Sequence, residues 1–394
     1  MNKKLFPILS AFLLLFSLIE KGQATETYRP ETSVAGFIQL PGSGRQVYNF
    51  NPGWRFFKGD IHGAESVDFD DRSWTIVSTP HTVELMPAEA SGCRNYQGPA
   101  WYRKHFVLPA ETKGKRVLIH FEAAMGKQVL YLNGKRIQEH VGGYLPFTLD
   151  LTTNGIQAGD SCLLAIFVDN SNDKSFPPGK PQYTLDFAYH GGIYRDVWMI
   201  AKSPVSITDP LDSQTVAGGG VFVHFDKISE KSAQVYVNTE LQNDNQHTET
   251  VTVETTLTDA DGKVIKRTSG KLSLKSGEKK IIRQQIEVKS PKLWSPDAPY
   301  LYKVQSRIKK GNQSIDGGIT RIGIRLAEFR GKDGFWLNGK PFVQLVGVNR
   351  HQDFAYVGNA LPNSQQWRDA KRLRDAGCTI TVSYTHLTLP TNSR

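Results

Sequence analysis

Between Val47 and Ala201 apolar and polar positions alternate in short blocks, and no long stretch keeps a helical period. This region therefore predicts many short strands separated by turns. Arg116 to His120 (RVLIH) and Gln128 to Leu132 (QVLYL) are strand candidates. The second ends at Asn133-Gly134, a pair that favours a tight hairpin because both residues tolerate a left-handed backbone. Leu163 to Asp169 (LLAIFVD) predicts another buried strand, and Gly192 to Ile200 (GIYRDVWMI) a closing one. Asp173 to Gln182, rich in proline, lysine and glycine, predicts a loop over the resulting sandwich.

From Val205 to Arg325 the alternation is stricter. Val235, Val237, Thr239 and Leu241 share one face, while Gln234, Tyr236, Asn238 and Glu240 share the other. Val251, Val253, Thr255 and Leu257 repeat the pattern into the turn Asp259-Ala260-Asp261-Gly262, and Ile281 and Arg283 belong to a later strand. A run of about 120 residues of this kind fits an immunoglobulin-like sandwich without the Cys and Trp signature of antibody domains.

After Phe329 the period changes. Phe342 to Val348 (FVQLVGV) is a near-continuous apolar strand, followed by a loop and a helix that Asn363 or Ser364 can cap. Trp367, Ala370 and Leu373 recur at three-residue spacing, and Gly377 stands where a left-handed C-cap belongs. Cys378 to Thr381 starts a second strand. Strand, helix and strand make a parallel β/α unit, the opening of an α/β domain.

The first residues predict export. Asn2-Lys3-Lys4 precede the apolar run Leu5 to Ile19, and Gly22 and Ala24 are the small residues expected three and one positions before a cleavage site. An uncleaved anchor is the alternative, but the run is shorter than the ~20 residues needed to span a bilayer. The expected division is a signal peptide (1–24), an extension (25–46), a first sandwich (47–203), a second (204–326), the start of an α/β domain (327–381) and a tail (382–394).

Composition narrows the function. A chain of 394 residues, 39% hydrophobic and 22% charged, predicts two or three ordinary globular domains. The net charge of +10 raises nucleic-acid binding, yet the lysines and arginines are scattered, with only small clusters such as Lys279-Lys280 and Lys309-Lys310. No nucleic-acid partner is expected, and no membrane association once the signal is removed. Cys93, Cys162 and Cys378 are few, odd in number and far apart, which argues against a disulfide framework or a Cys-based metal site.

Three segments combine in a recognisable order: Gly98 to Phe106 (GPAWYRKHF), Asp186 to Val197 (DFAYHGGIYRDV) and Phe335 to Asp353 (FWLNGKPFVQLVGVNRHQD). Together they resemble glycoside hydrolase family two, and Trp294 to Tyr302 (WSPDAPYLY) stands where that family's second domain carries a similar run. The resemblance covers about Val47 to Thr381. It implies a jelly-roll β-sandwich that binds sugar, an immunoglobulin-like β-sandwich, and the truncated start of a (β/α)8 TIM barrel. It also implies a retaining enzyme acting on a β-linked oligosaccharide or glycan, with a homo-oligomer open for the full-length enzyme; the export signal makes the expected location periplasmic or extracellular. No cofactor is required by it, though a bound Na+, Mg2+ or Ca2+ is compatible with it. Gly347 to His351 (GVNRH) looks more like the β-galactosidases, since β-glucuronidases usually carry lysine where Arg350 stands. A β-glucuronidase or β-mannosidase would share the architecture. A non-catalytic carbohydrate-binding or adhesion protein of two sandwiches is the alternative of another class, but it gives the barrel-like segment no reason to exist.

His351 falls just past the carboxyl end of the first barrel strand, the face on which barrel active sites are built, so a sugar-hydroxyl contact is a sensible role. The resemblance implies the same role; a histidine packed in a loop is the plainer alternative. By resemblance, Asp186 matches an acidic residue that reaches from the first domain toward the sugar, directly or through a cation. An Asp turning on its own backbone is equally open. Asn95 is a similar substrate-binding candidate whose alignment needs a gap. Arg195 and Asp196, adjacent in a predicted strand, should point to opposite faces and read as structural. Trp101, Tyr102 and Arg103 read first as part of a sandwich strand, and as a sugar-stacking platform only secondarily.

A retaining glycosidase needs two carboxylates ~5 Å apart. In the family both come from later barrel strands, and no Asn-Glu pair occurs in this sequence, so no catalytic residue is expected among these 394. The run Val382 to Arg394 (VSYTHLTLPTNSR) breaks the family pattern, resembles read-through of sequencing-adapter DNA, and is expected to be non-native.

Overall fold

A computed structural model describes residues 31–32, 39–87, 95–177, 179–185, 187–213, 215–216, 218–342 and 345–383. The export segment, Cys93, Asp186 and the tail from 384 lie outside the described residues.

The first unit is a two-layer antiparallel sandwich. One sheet orders Glu31–Thr32, Gln46–Asn49, Val197–Lys202, Arg116–Phe121 and Phe147–Asp150. The other orders Thr75–Val77, Trp54–Lys58, Pro99–Val107, Ser161–Asp169, Lys127–Leu132 and Lys135–Val141. Phe50, Trp54, Tyr102, Phe106, Phe121, Leu130, Ile166 and Met199 fill the space between the layers. Asn133 and Gly134 both take positive φ, +49° and +81°, and turn Lys127–Leu132 into Lys135–Val141 as the Asn-Gly pair predicts. Trp101 and Arg103 face the outer side of the sheet under residues 60–74 and are buried, with Trp101 donating to Asp60 at 3.1 Å. With Tyr102 in the core, the three residues form sheet structure and offer no exposed platform for a sugar.

The expected strand Gly192 to Ile200 begins only at Val197. Gly192 explains the difference: its φ is +116°, and a Cβ there would lie 2.6 Å from the His81 carbonyl oxygen and 2.7 Å from the Tyr102 hydroxyl. Residues 192–196 bond to neighbouring loops instead, with His81 N–H donating to the Ile193 carbonyl at 2.8 Å and Met125 N–H to the Gly192 carbonyl at 3.1 Å.

The second unit is also a sandwich. In one sheet Ser232–Asn243 pairs with Val205–Ile207, Val221–Asp226 and Lys279–Lys289; the other runs Val264–Leu274, Glu249–Thr258, Tyr302–Lys310, Gln313–Ile322. Val235, Val237, Thr239, Leu241, Val251, Val253, Thr255 and Leu257 are buried, as the alternation requires.

The third unit opens with a small antiparallel sheet, Ala327–Phe329, Phe335–Leu337 and Lys340–Pro341. Gly347–Arg350 then pairs in parallel with Ile380–Ser383 across the helix Asn363–Asp375. The strand is shorter than the expected Phe342 to Val348, and Leu345 and Val346 stand 46% and 39% exposed. A parallel strand is extended by neighbours on its edges, and among the described residues Ile380–Ser383 alone pairs with it. The helix begins differently from expectation: Pro362 occupies the N-cap without a side-chain bond, and Asn363 turns its amide elsewhere. It ends as expected, because Gly377 takes φ +87°, its N–H reaches the Arg374 carbonyl at 2.9 Å, and Cys378 N–H reaches that of Leu373 at 3.0 Å. That pair of bonds is a Schellman motif.

Among the described residues, no helix is long and apolar enough to cross a membrane.

Candidate functional site

His351 follows the carboxyl end of the parallel strand Gly347–Arg350, so the strand direction brings it to the face where the loop 352–362 emerges. Its ring meets that of Phe187 edge-on, with centroids 6.1 Å apart and planes at 88°. The first sandwich and the third unit thus meet at His351. Phe187 lies in the segment that also carries Asp186, itself outside the described residues.

That segment is tied down by amides. Asn95 Nδ2 donates to the carbonyls of Tyr96 and Tyr189, each at 3.3 Å, and Asn95 Oδ1 accepts from Gln182 Nε2. Gln182 Oε1 accepts from Tyr189 N–H at 2.9 Å, and Asn170 Nδ2 donates to the carbonyls of Tyr96 at 2.9 Å and Tyr189 at 3.1 Å. Asn95 therefore fastens the loop that presents Phe187, with its amide engaged by protein. Of the sequence-predicted residues, the structure ties Asn95 and His351 to one loop, by hydrogen bonds and by a ring contact respectively.

A second layer of contacts docks residues 352–363 onto the sandwich. Arg195, 3% exposed, donates from Nη1 to the carbonyl of Leu361 at 3.1 Å and from Nη2 to Gln352 Oε1 at 3.3 Å. Asp196 accepts from Asn51 Nδ2 at 2.9 Å and from Asn363 Nδ2 at 2.8 Å. The two residues were expected on opposite faces of a strand. In the irregular backbone before Val197 they reach the same docked segment, so the structural role holds while strand alternation does not account for it. Ala360 packs with Ala123, Met125, Tyr189 and Tyr194, and Tyr356 pairs its backbone with Met86. Gly358 sits over the buried His190 with φ +52°; a Cβ there would come within 2.5 Å of the imidazole. His190 Nε2 in turn lies 3.9 Å from Asp353 Oδ2.

Electrostatically the junction is dense. Burial, reinforced by the neighbouring Asp196, pushes the Glu122 carboxyl up to about 7, against a bond donated by Trp198 Nε1 at 3.0 Å. Burial also raises Asp196 and lowers Arg195. Arg350 pairs with Asp369 of the helix, and Gln365 Nε2 donates to Asp369 at 2.8 Å. Each of these carboxylates is engaged by protein side chains: Glu122 by Trp198, Asp196 by Asn51 and Asn363, and Asp369 by Arg350 and Gln365. Among the described residues no group of three or more His, Cys, Asp or Glu side chains could hold a metal. Sequence reasoning missed Gln352, Asn363 and Glu122, whose roles depend on contacts far along the chain.

Residues 64–204 match the profile of the glycosyl hydrolases family 2 sugar binding domain, and residues 219–325 match that of glycosyl hydrolases family 2. The chain belongs to glycosyl hydrolases family 2. It is 34% identical over 353 residues to a β-glucuronidase of Formosa agariphila, covering 86% of this chain and 36% of that protein. It is 35% identical over 336 residues to a β-galactosidase of Thermoanaerobacter pseudethanolicus, covering 84% and 42%. A solved β-glucuronidase from glycoside hydrolase family 2 superposes with a TM-score of 0.78 at 33% identity, covering 87% of this chain and 37% of that one. The chain thus spans well under half the length of these relatives.

Proposed function

We propose that the whole protein is an exported retaining glycosidase that removes terminal β-galactosyl residues, and that this chain supplies its two accessory sandwiches and the first strand, helix and strand of a (β/α)8 barrel. One observation carries the reading: the parallel strand Gly347–Arg350 delivers His351 to the loop of the sugar-binding sandwich that holds Phe187. Ligands of barrel enzymes bind at the carboxyl ends of the strands, which gives His351 a sugar hydroxyl to contact, and Asp186 is proposed as a second sugar contact on the family resemblance alone. The two carboxylates of the double displacement belong, in this reading, to later barrel strands, so the 394-residue chain alone turns over no substrate and needs no cofactor.

A β-glucuronidase is the second reading, favoured by relatives of both names at nearly equal identity. Arg350, whose identity pointed to galactosides, is engaged by Asp369 of the helix. Its side chain supports strand-to-helix packing. Expression of the whole open reading frame and assay on chromogenic β-galactoside, β-glucuronide and β-mannoside decides among them. Galactoside turnover at least tenfold above the others is the expected result; preference for either other substrate overturns the galactoside assignment, and no turnover of any overturns the enzyme.

A further inference from the structure

We infer that Arg195 and Asp196 are positioning residues for His351: they clamp both ends of the loop that follows it, and so set where its ring stands relative to the sugar-binding sandwich. This rests on the reading of His351 as a sugar contact. The loop leaves the parallel strand at His351 and enters the helix at Asn363. At its first residue, Gln352, the side chain is 2% exposed and accepts a hydrogen bond from Arg195 Nη2 at 3.3 Å. Near its far end Arg195 Nη1 donates to the Leu361 carbonyl at 3.1 Å and to that of Asn359 at 3.5 Å. Two residues on, Asn363 donates to Asp196 Oδ2 at 2.8 Å. Adjacent residues of the sandwich thus hold the start and the end of one loop.

The chemistry suits clamping. A planar guanidinium has donors in a fixed fork, so one Arg can serve a side-chain amide and two carbonyls that diverge; a lysine ammonium cannot reproduce that geometry. Arg195 is buried, and the three groups of the loop that it reaches are uncharged, so it holds the loop by the direction of its donors. Asp196 is anchored from behind by Asn51 Nδ2 at 2.9 Å, and Asn51 Oδ1 accepts in turn from Val197 N–H at 2.7 Å and Thr79 Oγ1 at 2.7 Å. The clamp is therefore built on the sandwich's own backbone. His351 itself meets the sandwich through Phe187, so a loop released at Gln352 would let the ring shift while both sandwiches stay folded.

The test is a cycle in the protein expressed from the whole open reading frame, with Arg195→Met, Arg195→Lys, His351→Ala and the two Arg195/His351 doubles. Misplacement by about 1 Å can cost up to ~100-fold in rate, so R195M is expected to lower kcat/KM at least about 10-fold, with R195K recovering little of it. In the H351A background the same change should lower it less than about 3-fold, because residues acting as one unit are non-additive. Equal losses from R195M in both backgrounds overturn the positioning role. If H351A alone leaves kcat/KM unchanged, the sugar-contact reading falls, and the positioning role with it. Hydrogen exchange reads the clamp apart from activity: R195M should raise exchange across residues 352–363 and leave the strands Arg116–Phe121 and Ser161–Asp169 protected. Unchanged exchange at 352–363 overturns the clamp whatever the kinetics show.

Discussion

Asp196 accepts a hydrogen bond from Asn363 at 2.8 Å, joining residues 167 positions apart and fixing the start of the helix Asn363–Asp375 to the first sandwich. Because Pro362 caps the helix without a side chain, Asn363 is available for this link. Asn363→Asp should face two carboxylates across the junction. Above neutrality the pair should cost about 1–3 kcal/mol beyond Asn363→Ala, which removes only the donor. Burial already raises the Asp196 pKa, so one carboxyl of the pair takes up a proton readily on acidification, and the difference should shrink toward pH 5. Urea titrations of both variants at pH 5 and pH 8 measure it; coincident curves at both values would show that the carboxylate does not face position 363.

Glu122 gives a dependence on pH with a definite sign. Its carboxyl is raised from 4.5 to about 7 by burial and by Asp196, so the folded protein holds a proton that the unfolded chain has already released. Stability from this group is fully present below about pH 4.5 and is lost as pH rises through about 7, a difference of at most ~3 kcal/mol. Glu122→Gln keeps an acceptor for Trp198 Nε1 and carries no charge. Its Tm should match wild type near pH 5 and exceed it at pH 8.5. A wild-type advantage at pH 8.5 would contradict the assignment.

The Asp71 carboxylate should respond in the opposite direction. It holds Arg103 Nε at 2.7 Å, His105 Nε2 at 2.8 Å and Arg55 Nη1 at 3.2 Å on the outer face of the six-stranded sheet. Burial acts to raise its pKa, but the bonds from His105 and Arg103 win and hold it at about 2. Stability from Asp71 is therefore present above about pH 4 and is lost as pH falls through about 2. Asp71→Ala takes the counter-charge from the fully buried Arg103, leaving it the carbonyls of Ala64, Ser66 and Phe69, and should cost about 3–5 kcal/mol in a denaturant melt. A loss under ~1 kcal/mol would mean that solvent reaches the guanidinium.

What could be read from the sequence is what short-range rules govern. Val235, Val237, Thr239 and Leu241 announce their buried face by alternation alone, and Gly377 announces the helix end because a left-handed C-cap is a local requirement. Lys104 could not be read this way. It lies on the core side of Pro99–Val107, with Nζ donating to the Phe50 carbonyl at 2.9 Å and standing 4.2 Å from the Phe50 ring. Polarity places such a residue outside and alternation places it inside, and only the carbonyls of residues 50 and 52 settle the conflict. The junction was opaque for a related reason. Gly192 breaks the apparent strand by a positive φ at a point where the His81 carbonyl leaves no room for a Cβ, and the loop partners Gln352 and Asn363 of Arg195 and Asp196 lie more than 150 residues downstream. Composition marks such residues as interesting, but their geometry comes from tertiary contacts.

The segment just before Gln46–Asn49 makes a further prediction, because it binds the second unit before the chain enters that strand of the first. Arg45 Nε and Nη2 reach the two oxygens of Asp316 at 2.8 Å each, and the Asp316 side chain is fully buried. Ile207 N–H donates to the same carboxylate at 2.8 Å, while Arg307 donates to the carbonyls of Gly42 at 2.9 Å and Pro41 at 3.1 Å. A fork of this kind is strong in geometry, yet the carboxylate was taken wholly, and the guanidinium largely, from water to make it. Removing one partner should therefore hurt more than removing both. Arg45→Met leaves a buried carboxylate with one backbone donor and should destabilise by about 3–5 kcal/mol, whereas R45M combined with Asp316→Leu should recover much of that loss. Because the pair is shielded, added salt should move neither value far. Denaturant melts of the two single variants and the double at low and high salt measure all of this. If R45M loses less than ~1 kcal/mol, or if the loss disappears in high salt, the segment is held by surface attraction and the buried fork is not what fastens it.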